Sequence, residues 1–256
     1  MLEKLTVIKV GGKVVEEEET LQRLLEDFAK IEGAKMLVHG GGSLATKIAG
    51  QLGIENRMID GRRITDEATL RVVTMVYAGL VNKTIVAGLQ SIGVNAIGLT
   101  GADMNIMGSD KRPVQTIDYG FAGDVKEVNA DAFLLLLQNG YVPVLSPITH
   151  NNKGLLLNTN ADTIAAEAAK ALSKLFDVTL IYCFEKSGVL MNELDDRSVI
   201  PLLDNELFLK YKAEGIIQGG MIPKLDNAFQ AIEAGVKQVI ITKASEITGK
   251  KGTIII

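Results

Sequence analysis

A single cysteine, Cys183, excludes an internal disulfide. Its place in an apolar run makes it an inert core thiol of a reducing compartment. Two histidines, His39 and His150, with that one cysteine fall short of the ligand set a zinc site needs, so no protein-bound metal is expected. Lysine and arginine number 27 against 31 aspartate and glutamate, a formal net charge of −4, without the basic stripe of a nucleic-acid partner. No apolar run approaches the roughly 18 residues of a membrane span, so no membrane partner is expected either. Met1 leads within a few residues into Leu5-Thr6-Val7-Ile8-Lys9, which leaves no signal peptide and sets a cytoplasmic location as the expectation. Two phosphate-binding fingerprints are missing as well. G-x-x-x-x-G-K-[ST] does not occur, and G-x-G-x-x-G fails at Ala45, where its third glycine would fall.

What the chain has in quantity is core. Apolar residues make up 47% of it, and at this length roughly three quarters of the unfolded surface is buried on folding. Short β-rich runs stand at residues 5–10, 35–38, 94–99, 142–146, 178–184, 238–242 and 253–256. Between them lie amphipathic stripes, such as Leu21, Leu24, Leu25, Phe28 and Ile31, or Leu225, Ala228, Phe229 and Ile232. Gly33, Gly53, Gly93, Gly140, Gly215 and Gly235 stand where helices should stop. The acidic run 16–19 suits a helix start. Alternating β and α implies a mainly parallel sheet covered on both faces. Two stretches break the rhythm. Residues 65–92 read as one long helix capped by Thr65, either buried in its own fold or forming a subunit interface. Residues 103–128 read as hairpins layered onto one lobe. A soft boundary falls near residues 175–177.

The chemistry concentrates at the turns. Gly11-Gly12 and Gly40-Gly41-Gly42 each follow an apolar strand and precede a helix, and at the carboxyl edge of a parallel sheet their bare N–H groups suit an anion. Lys9 sits inside an apolar strand, where a charge is costly without a partner. It is either an edge-strand lysine with a solvated tip or a functional cation. Lys224 follows Pro223, a good first-turn residue, so it opposes the dipole of its own helix unless an anion is held by both. Asn158, Asn160 and Asp162 share one face of an extended backbone just before an Ala-rich helix. Asp162 is either a first-turn acid or the group that pairs with both lysines. Arg63 offers a bidentate grip on a carboxylate, the alternative for Arg62 and Arg63 being a solvated loop.

In this order the segments Lys9-Val10-Gly11-Gly12, Val38-His39-Gly40-Gly41-Gly42, Gly61-Arg62-Arg63-Ile64-Thr65, Asn82-Lys83, Asp118-Tyr119-Gly120-Phe121-Ala122-Gly123, Asn158-Thr159-Asn160-Ala161-Asp162 and Gly219-Gly220-Met221-Ile222-Pro223-Lys224 resemble the amino acid kinase superfamily, and within it the N-acetylglutamate kinase family. The resemblance covers essentially the whole chain. It implies an α/β three-layer αβα sandwich with a mainly parallel open central sheet and two lobes. Residues 1–176 would form the lobe for the acyl-amino acid and dimerisation, and residues 177–256 the lobe for ATP. It implies transfer of the ATP γ-phosphoryl to the side-chain carboxylate of N-acetyl-L-glutamate, in arginine biosynthesis, with Mg²⁺ carried by the nucleotide. Gly41, Gly42, Arg63, Asn158 and Asn160 would bind the acceptor, and the backbone of Gly11, Gly12 and Gly40 would contact phosphate. Lys9 and Lys224 would stabilise the transferring group, with Asp162 organising them. Glu185, Lys186, Ser187, Gly188, Val189, Leu190, Ile216, Ile217 and Gln218 would lie along the nucleotide. It also implies a homodimer through the helix at 65–92. The chain lacks the N-terminal helical extension of arginine-inhibited members, so insensitivity to arginine is expected.

Such a reaction needs no general base, because the acceptor carboxylate, with a reference pKa near ~4.3, is already ionised at neutral pH. Two departures touch the nucleotide side: Glu185 stands where the family usually has aspartate, and Gln218 where it often has a small hydroxyl residue. Four other readings stay open. They are a related acceptor such as carbamate, aspartate, free glutamate or a nucleoside monophosphate; N-succinyl-L-glutamate as acceptor; a non-catalytic nucleotide sensor on the same fold; and a Rossmann dehydrogenase, which the missing fingerprint disfavours.

Overall fold

The computed structural model describes residues 2–59, 61–248 and 251–256. In chain order the strands are β1 (Lys4–Val10), β2 (Ala34–His39), β3 (Met58–Ile59), β4 (Arg62–Arg63), β5 (Ala96–Leu99), β6 (Met107–Lys111), β7 (Gly123–Val128), β8 (Val142–Leu145), β9 (Ile148–His150), β10 (Leu156–Asn158), β11 (Asp177–Phe184), β12 (Leu202–Leu203), β13 (Gln238–Lys243) and β14 (Thr253–Ile255). The helices are α1 (Gly12–Glu16), α2 (Glu18–Ala29), α3 (Gly42–Gln51), α4 (Glu67–Thr74), α5 (Asn82–Ser91), α6 (Ala130–Gln138), α7 (Ala161–Leu172), α8 (Asn205–Ala213) and α9 (Met221–Glu233). Each β-rich run of the sequence is a strand here, with ends displaced by two residues at most. The six helix-stop glycines all have positive φ, between 70° and 103°.

An eight-stranded sheet, in the order β12-β14-β13-β11-β1-β2-β8-β5, forms the middle layer. Its strands are parallel except where β14 meets β13. Side chains alternate across a strand, so each strand feeds two cores. Leu5 and Val7 of β1 pack with Leu180 and Tyr182 of β11 beneath α6, α7, α8 and α9. Ile8 and Val10 pack with Ile181 and Cys183 beneath α2, α3, α4 and α5. The result is the expected three layers. Because β1 has β11 on one side and β2 on the other, Lys9 is a residue of the sheet centre. The edge-strand reading of Lys9 is thereby overturned.

Two further expectations need correction. The helix at 65–92 is capped by Asp66, not Thr65: the Asp66 Oδ1 accepts from the Thr69 N–H at 2.7 Å. Thr65 is buried and its hydroxyl donates to the Arg63 carbonyl at 3.0 Å. The helix is also continuous from Glu67 to Ser91, through a π-helical turn at Met75–Val81 joining α4 to α5. By length and composition alone it is apolar enough to cross a membrane, although it holds no uninterrupted apolar run of that length. Its Val72, Val73, Val76, Tyr77, Val81, Ile85 and Leu89 belong to the core under the sheet. Of the acidic run, Glu18 and Glu19 occupy the first turn of α2, while Glu16 ends α1. The stretch at 103–128 supplies the antiparallel pair β6 and β7, which joins β9 and β10 in a four-stranded sheet.

His39 ends β2, fully buried on the α5 side. Burial pushes its imidazole down to about 4 from 6.5, and the nearby Lys83 charge acts in the same direction. A base whose folded pKa is depressed binds its proton more readily when unfolded, so folding is stabilised above the unfolded value and loses that stability as pH falls towards the folded one. The wild type is therefore expected to lose up to about 3 kcal/mol between pH 6.5 and 4 from this group alone. Urea unfolding at a series of pH values checks this: the difference between wild type and His39→Asn should shrink as pH falls through that window, and a constant difference would refute it.

Candidate active site

Parallel pairing of β1 and β2 puts the turns that follow them side by side. A Cβ built on Gly12 would stand 3.2 Å from the backbone nitrogens of both Gly41 and Gly42, and one on Gly40 would stand 3.1 Å from that of Gly12. A side chain at either position would force the two turns apart by a few tenths of an ångström, so glycine suits so close a meeting. Its product is a concentration of N–H groups at the start of α3, where a helix leaves its first donors without internal acceptors.

Lys9 lies on the same face of β1 as Leu5 and Val7, towards α7. Its Nζ is 2.7 Å from Oδ1 of Asp162, in the first turn of α7, with side chains only 9% and 13% exposed. The position of Asp162 follows from its cap. Asn160 Oδ1 accepts from the N–H groups of Asp162 and Thr163 at 2.7 and 3.2 Å, and the Tyr182 hydroxyl donates to the Asp162 carbonyl at 3.2 Å. The expected acceptor-binding role of Asn160 thus competes with capping, which takes its oxygen. Lys224 enters from the first turns of α9, on the other side of the cleft. Its Nζ rests 3.7 Å from the centre of the Phe184 ring, which carries Lys9 Nζ at 5.0 Å. Burial lowers the Lys224 ammonium below its ordinary value, opposed by Asp162 and reinforced by Lys9. Asp162 therefore pairs directly with one lysine and acts on the other through space, rather than gripping both.

Two cavities meet at Gly42. One, of about 470 Å³, is lined by Gly11, Gly12, Lys13, Gly42, Ser43, Phe184, Glu185, Lys186, Gly188, Met221 and Lys224 among others. A narrower one, of about 170 Å³, is lined by Gly40, Gly41, Gly42, Met58, Arg62, Arg63, Tyr77, Asn158 and Asn160 among others. On that side Arg63 is buried, not a solvated loop residue. It donates to the Gly42 carbonyl at 2.8 Å, to Thr46 Oγ1 at 2.9 Å and to Asn56. Asn158 donates to Thr65 Oγ1 at 2.9 Å. Arg62 lines the same cavity half-buried. Among the described residues no acceptor is bonded to its guanidinium, and burial together with the nearby Arg112 charge lowers its pKa. Arg112 itself is held by Asp124.

Beyond the larger cavity, Lys186, Gly188, Val189, Leu190, Ile216, Ile217 and Gln218 surround a small cleft of about 70 Å³. Two of the expected nucleotide residues sit differently. Glu185 reaches out to Lys13 at 2.7 Å with both side chains largely exposed, and Ser187 lines neither of these two cavities. Sequence reasoning missed Phe184, Tyr77, Thr65 and Met221. Phe184 was within reach of the alternation Val178, Leu180, Tyr182, Phe184, which puts it on the Lys9 face. The other three depend on contacts distant in the chain.

Comparison with known proteins agrees with this geometry. The model of the amino acid kinase family matches residues 4–243. A protein of Parabacteroides distasonis named acetylglutamate kinase is 70% identical over 252 residues, covering 98% of this chain and 99% of its own. One of the same name from Phocaeicola vulgatus is 66% identical, covering 100% and 99%. A crystal structure from Streptococcus mutans superposes with a TM-score of 0.82 at 27% identity, covering 98% of each chain. Full-length likeness at this level, together with opposed lysines over the carboxyl edge of a parallel sheet, places the chain in the amino acid kinase family.

Proposed function

We propose that the chain transfers the γ-phosphoryl group of ATP to the side-chain carboxylate of N-acetyl-L-glutamate, giving the 5-phosphate, a step of arginine biosynthesis. The names of its 66–70% identical relatives support this acceptor. The observation that carries it is the junction at Gly42, where a larger cavity lined by Lys224 meets a narrower one lined by Arg63 and Asn158. The nucleotide fits the larger one, with its base end towards Val189, Leu190, Ile216, Ile217 and Gln218. The acceptor fits the narrower one, between Gly41, Gly42, Arg63 and Asn158.

Two anions must meet there, so the reaction is limited by charge rather than by proton transfer. Lys9, Lys224 and the N–H groups of Gly11, Gly12, Gly41 and Gly42 are preorganised positive ends facing the transferring group. Asp162 holds the Lys9 ammonium in place without neutralising the pair, since Lys224 has no carboxylate in direct contact among the described residues and feels Asp162 only through space. Mg²⁺ would come as part of the nucleotide substrate, where it would offset phosphate charge; of the carboxylates on this side, Asp162 is paired with Lys9 and Glu185 with Lys13. A homodimer through Glu67–Ser91 is supported by Met75 and Leu80, which are 57% and 53% exposed on that helix. The division into an acceptor lobe, 1–176, and a nucleotide lobe, 177–256, is supported by the narrower cavity, lined from the first segment alone, and the small cleft, lined from the second alone, while both segments line the larger cavity. A reducing cytoplasm suits the one cysteine, buried with its thiol pushed up to about 12.

Arg62 favours a second reading of the acceptor. A half-buried cation with no bonded partner among the described residues, in the cavity assigned to the acyl-amino acid, suits an acyl group carrying its own carboxylate, as in N-succinyl-L-glutamate.

Lys9→Ala and Lys224→Ala are each expected to lower turnover by on the order of 10²–10³. Hydroxylamine trapping of the acyl phosphate checks this, and wild-type rates in both folded variants would exclude the assignment. Offered side by side, N-acetyl- and N-succinyl-L-glutamate separate the two readings. Preference for the acetyl substrate, unchanged by Arg62→Leu, supports the first. A succinyl preference that Arg62→Leu reduces by roughly tenfold or more, the worth of one charge-assisted hydrogen bond, supports the second.

A further inference from the structure

The reaction assigns no role to Asn82-Lys83, a segment of the family resemblance that lies against His39, just before the glycine turn. Asn82 is 1% exposed and follows the π-helical turn directly. Its backbone N–H donates to the Tyr77 carbonyl, the i to i+5 bond of that turn. This bond brings two side chains five residues apart to bear on one place. The Tyr77 ring lies against Gly41, so that a Cβ there would come within 2.9 Å of it. The Asn82 amide reaches His39, immediately before Gly40.

The bonding pattern of the amide leaves no freedom. Its Nδ2 donates to the Val144 carbonyl at 2.9 Å and points its other hydrogen at His39 Nε2, 3.1 Å away. Its Oδ1 accepts from Lys83 Nζ at 3.0 Å, and Lys83 also donates to the Gly98 carbonyl at 3.0 Å. Turning the amide over would set its oxygen against the Val144 carbonyl and its NH₂ against an ammonium. Gly98 keeps the space open, for a Cβ there would stand 1.9 Å from Asn82 Oδ1. His39 Nε2 is therefore an acceptor, and its proton resides on Nδ1, which lies 2.8 Å from the Gly40 carbonyl. Gly40 is pinned a second time by its own N–H, bonded to the Val10 carbonyl at 3.0 Å. In a trans peptide the C=O and the following N–H point in opposite directions. Once His39 holds the Gly40 carbonyl, the Gly41 N–H faces away from it, and Gly41 lines the narrower cavity. Among the described residues that N–H has no backbone acceptor.

We infer that Asn82 is a positioning residue for phosphoryl transfer, acting through His39: it selects the Nδ1–H tautomer, which holds the Gly40 peptide and so aims the Gly41 N–H at the reacting carboxylate and phosphoryl group. Lys83 locks the amide from behind. The role deepens the proposed reaction and rests on it for its kinetic consequence. The tautomer can be observed without any turnover.

The chain has only two histidines, so ¹⁵N-imidazole NMR resolves both. Wild type should show His39 as the Nδ1–H tautomer near neutral pH. Asn82→Leu should lose that preference and lower kcat by roughly 10–100-fold, less than outright removal of a donor, with KM for ATP held within about twofold. If Asn82→Leu does not fold, Lys83→Met tests the same chain from its exposed end, with a partial tautomer change and a smaller fall in kcat. An Nε2–H tautomer in the wild type overturns the inference. So does a folded variant with wild-type kcat, or one whose kcat falls while the tautomer is unchanged, which marks plain structural damage. Wild type with the expected tautomer but no phosphorylation of either acylglutamate would instead remove the proposed reaction and, with it, the kinetic role of Asn82.

Discussion

Burying an ammonium in the middle of a parallel sheet is the constraint around which this molecule is arranged. Lys9 has strands on both sides and helices above and below, so its charge cannot reach bulk water along the strand. Desolvation of each ion of a buried pair costs several kcal/mol, and pairing recovers it only with good geometry. That geometry comes from α7: Asn160 caps the helix, the cap places Asp162 in its first turn, and the carboxylate meets Lys9. Such a pair is a poor source of stability compared with apolar side chains of the same size. It makes sense as a charge held ready beside a cleft.

The second lysine completes the argument from the opposite side. Lys224 has no carboxylate in direct contact among the described residues, stands at the positive end of α9, and faces another ammonium across Phe184. Each of those facts is unfavourable alone. Each of them would be relieved by an anion held between the lysines. The glycine turns do the same with dipoles in place of charges: their close approach is possible because neither carries a side chain, and it concentrates N–H groups that the fold itself does not use.

The pattern of strands was legible because burial on both faces demands continuous apolar runs, and the helices because one face of each must be apolar. The long helix shows where that legibility stopped. Its apolar residues spread over more than one face, which hid the π turn at Met75–Val81 and left the capping residue one position off. Arg62 and Arg63 are a sharper case. They are adjacent and identical in kind, yet strand alternation sends Arg63 into a bonded, buried place under α3 and leaves Arg62 half-buried in the cavity, with no acceptor bonded to it among the described residues. Nothing local distinguishes them, because the difference is made by Gly42, Thr46 and Asn56 arriving from another part of the chain.

The sequence by itself determined the layers, the order of β and α, and the positions of the turns, since these rest on local periodicity and on the backbone freedom of glycine. It also determined the candidate lysines, because a cation in an apolar strand or at a helix start calls for an explanation wherever it occurs. Which cation is paired, and which arginine is bonded among the described residues, was decided only by the tertiary structure. Hydrogen bonds and ion pairs act over about 3 Å, and the groups that satisfy Lys9, His39, Arg63 and Asn158 are brought within that distance only when the sheet and its two helical layers have formed.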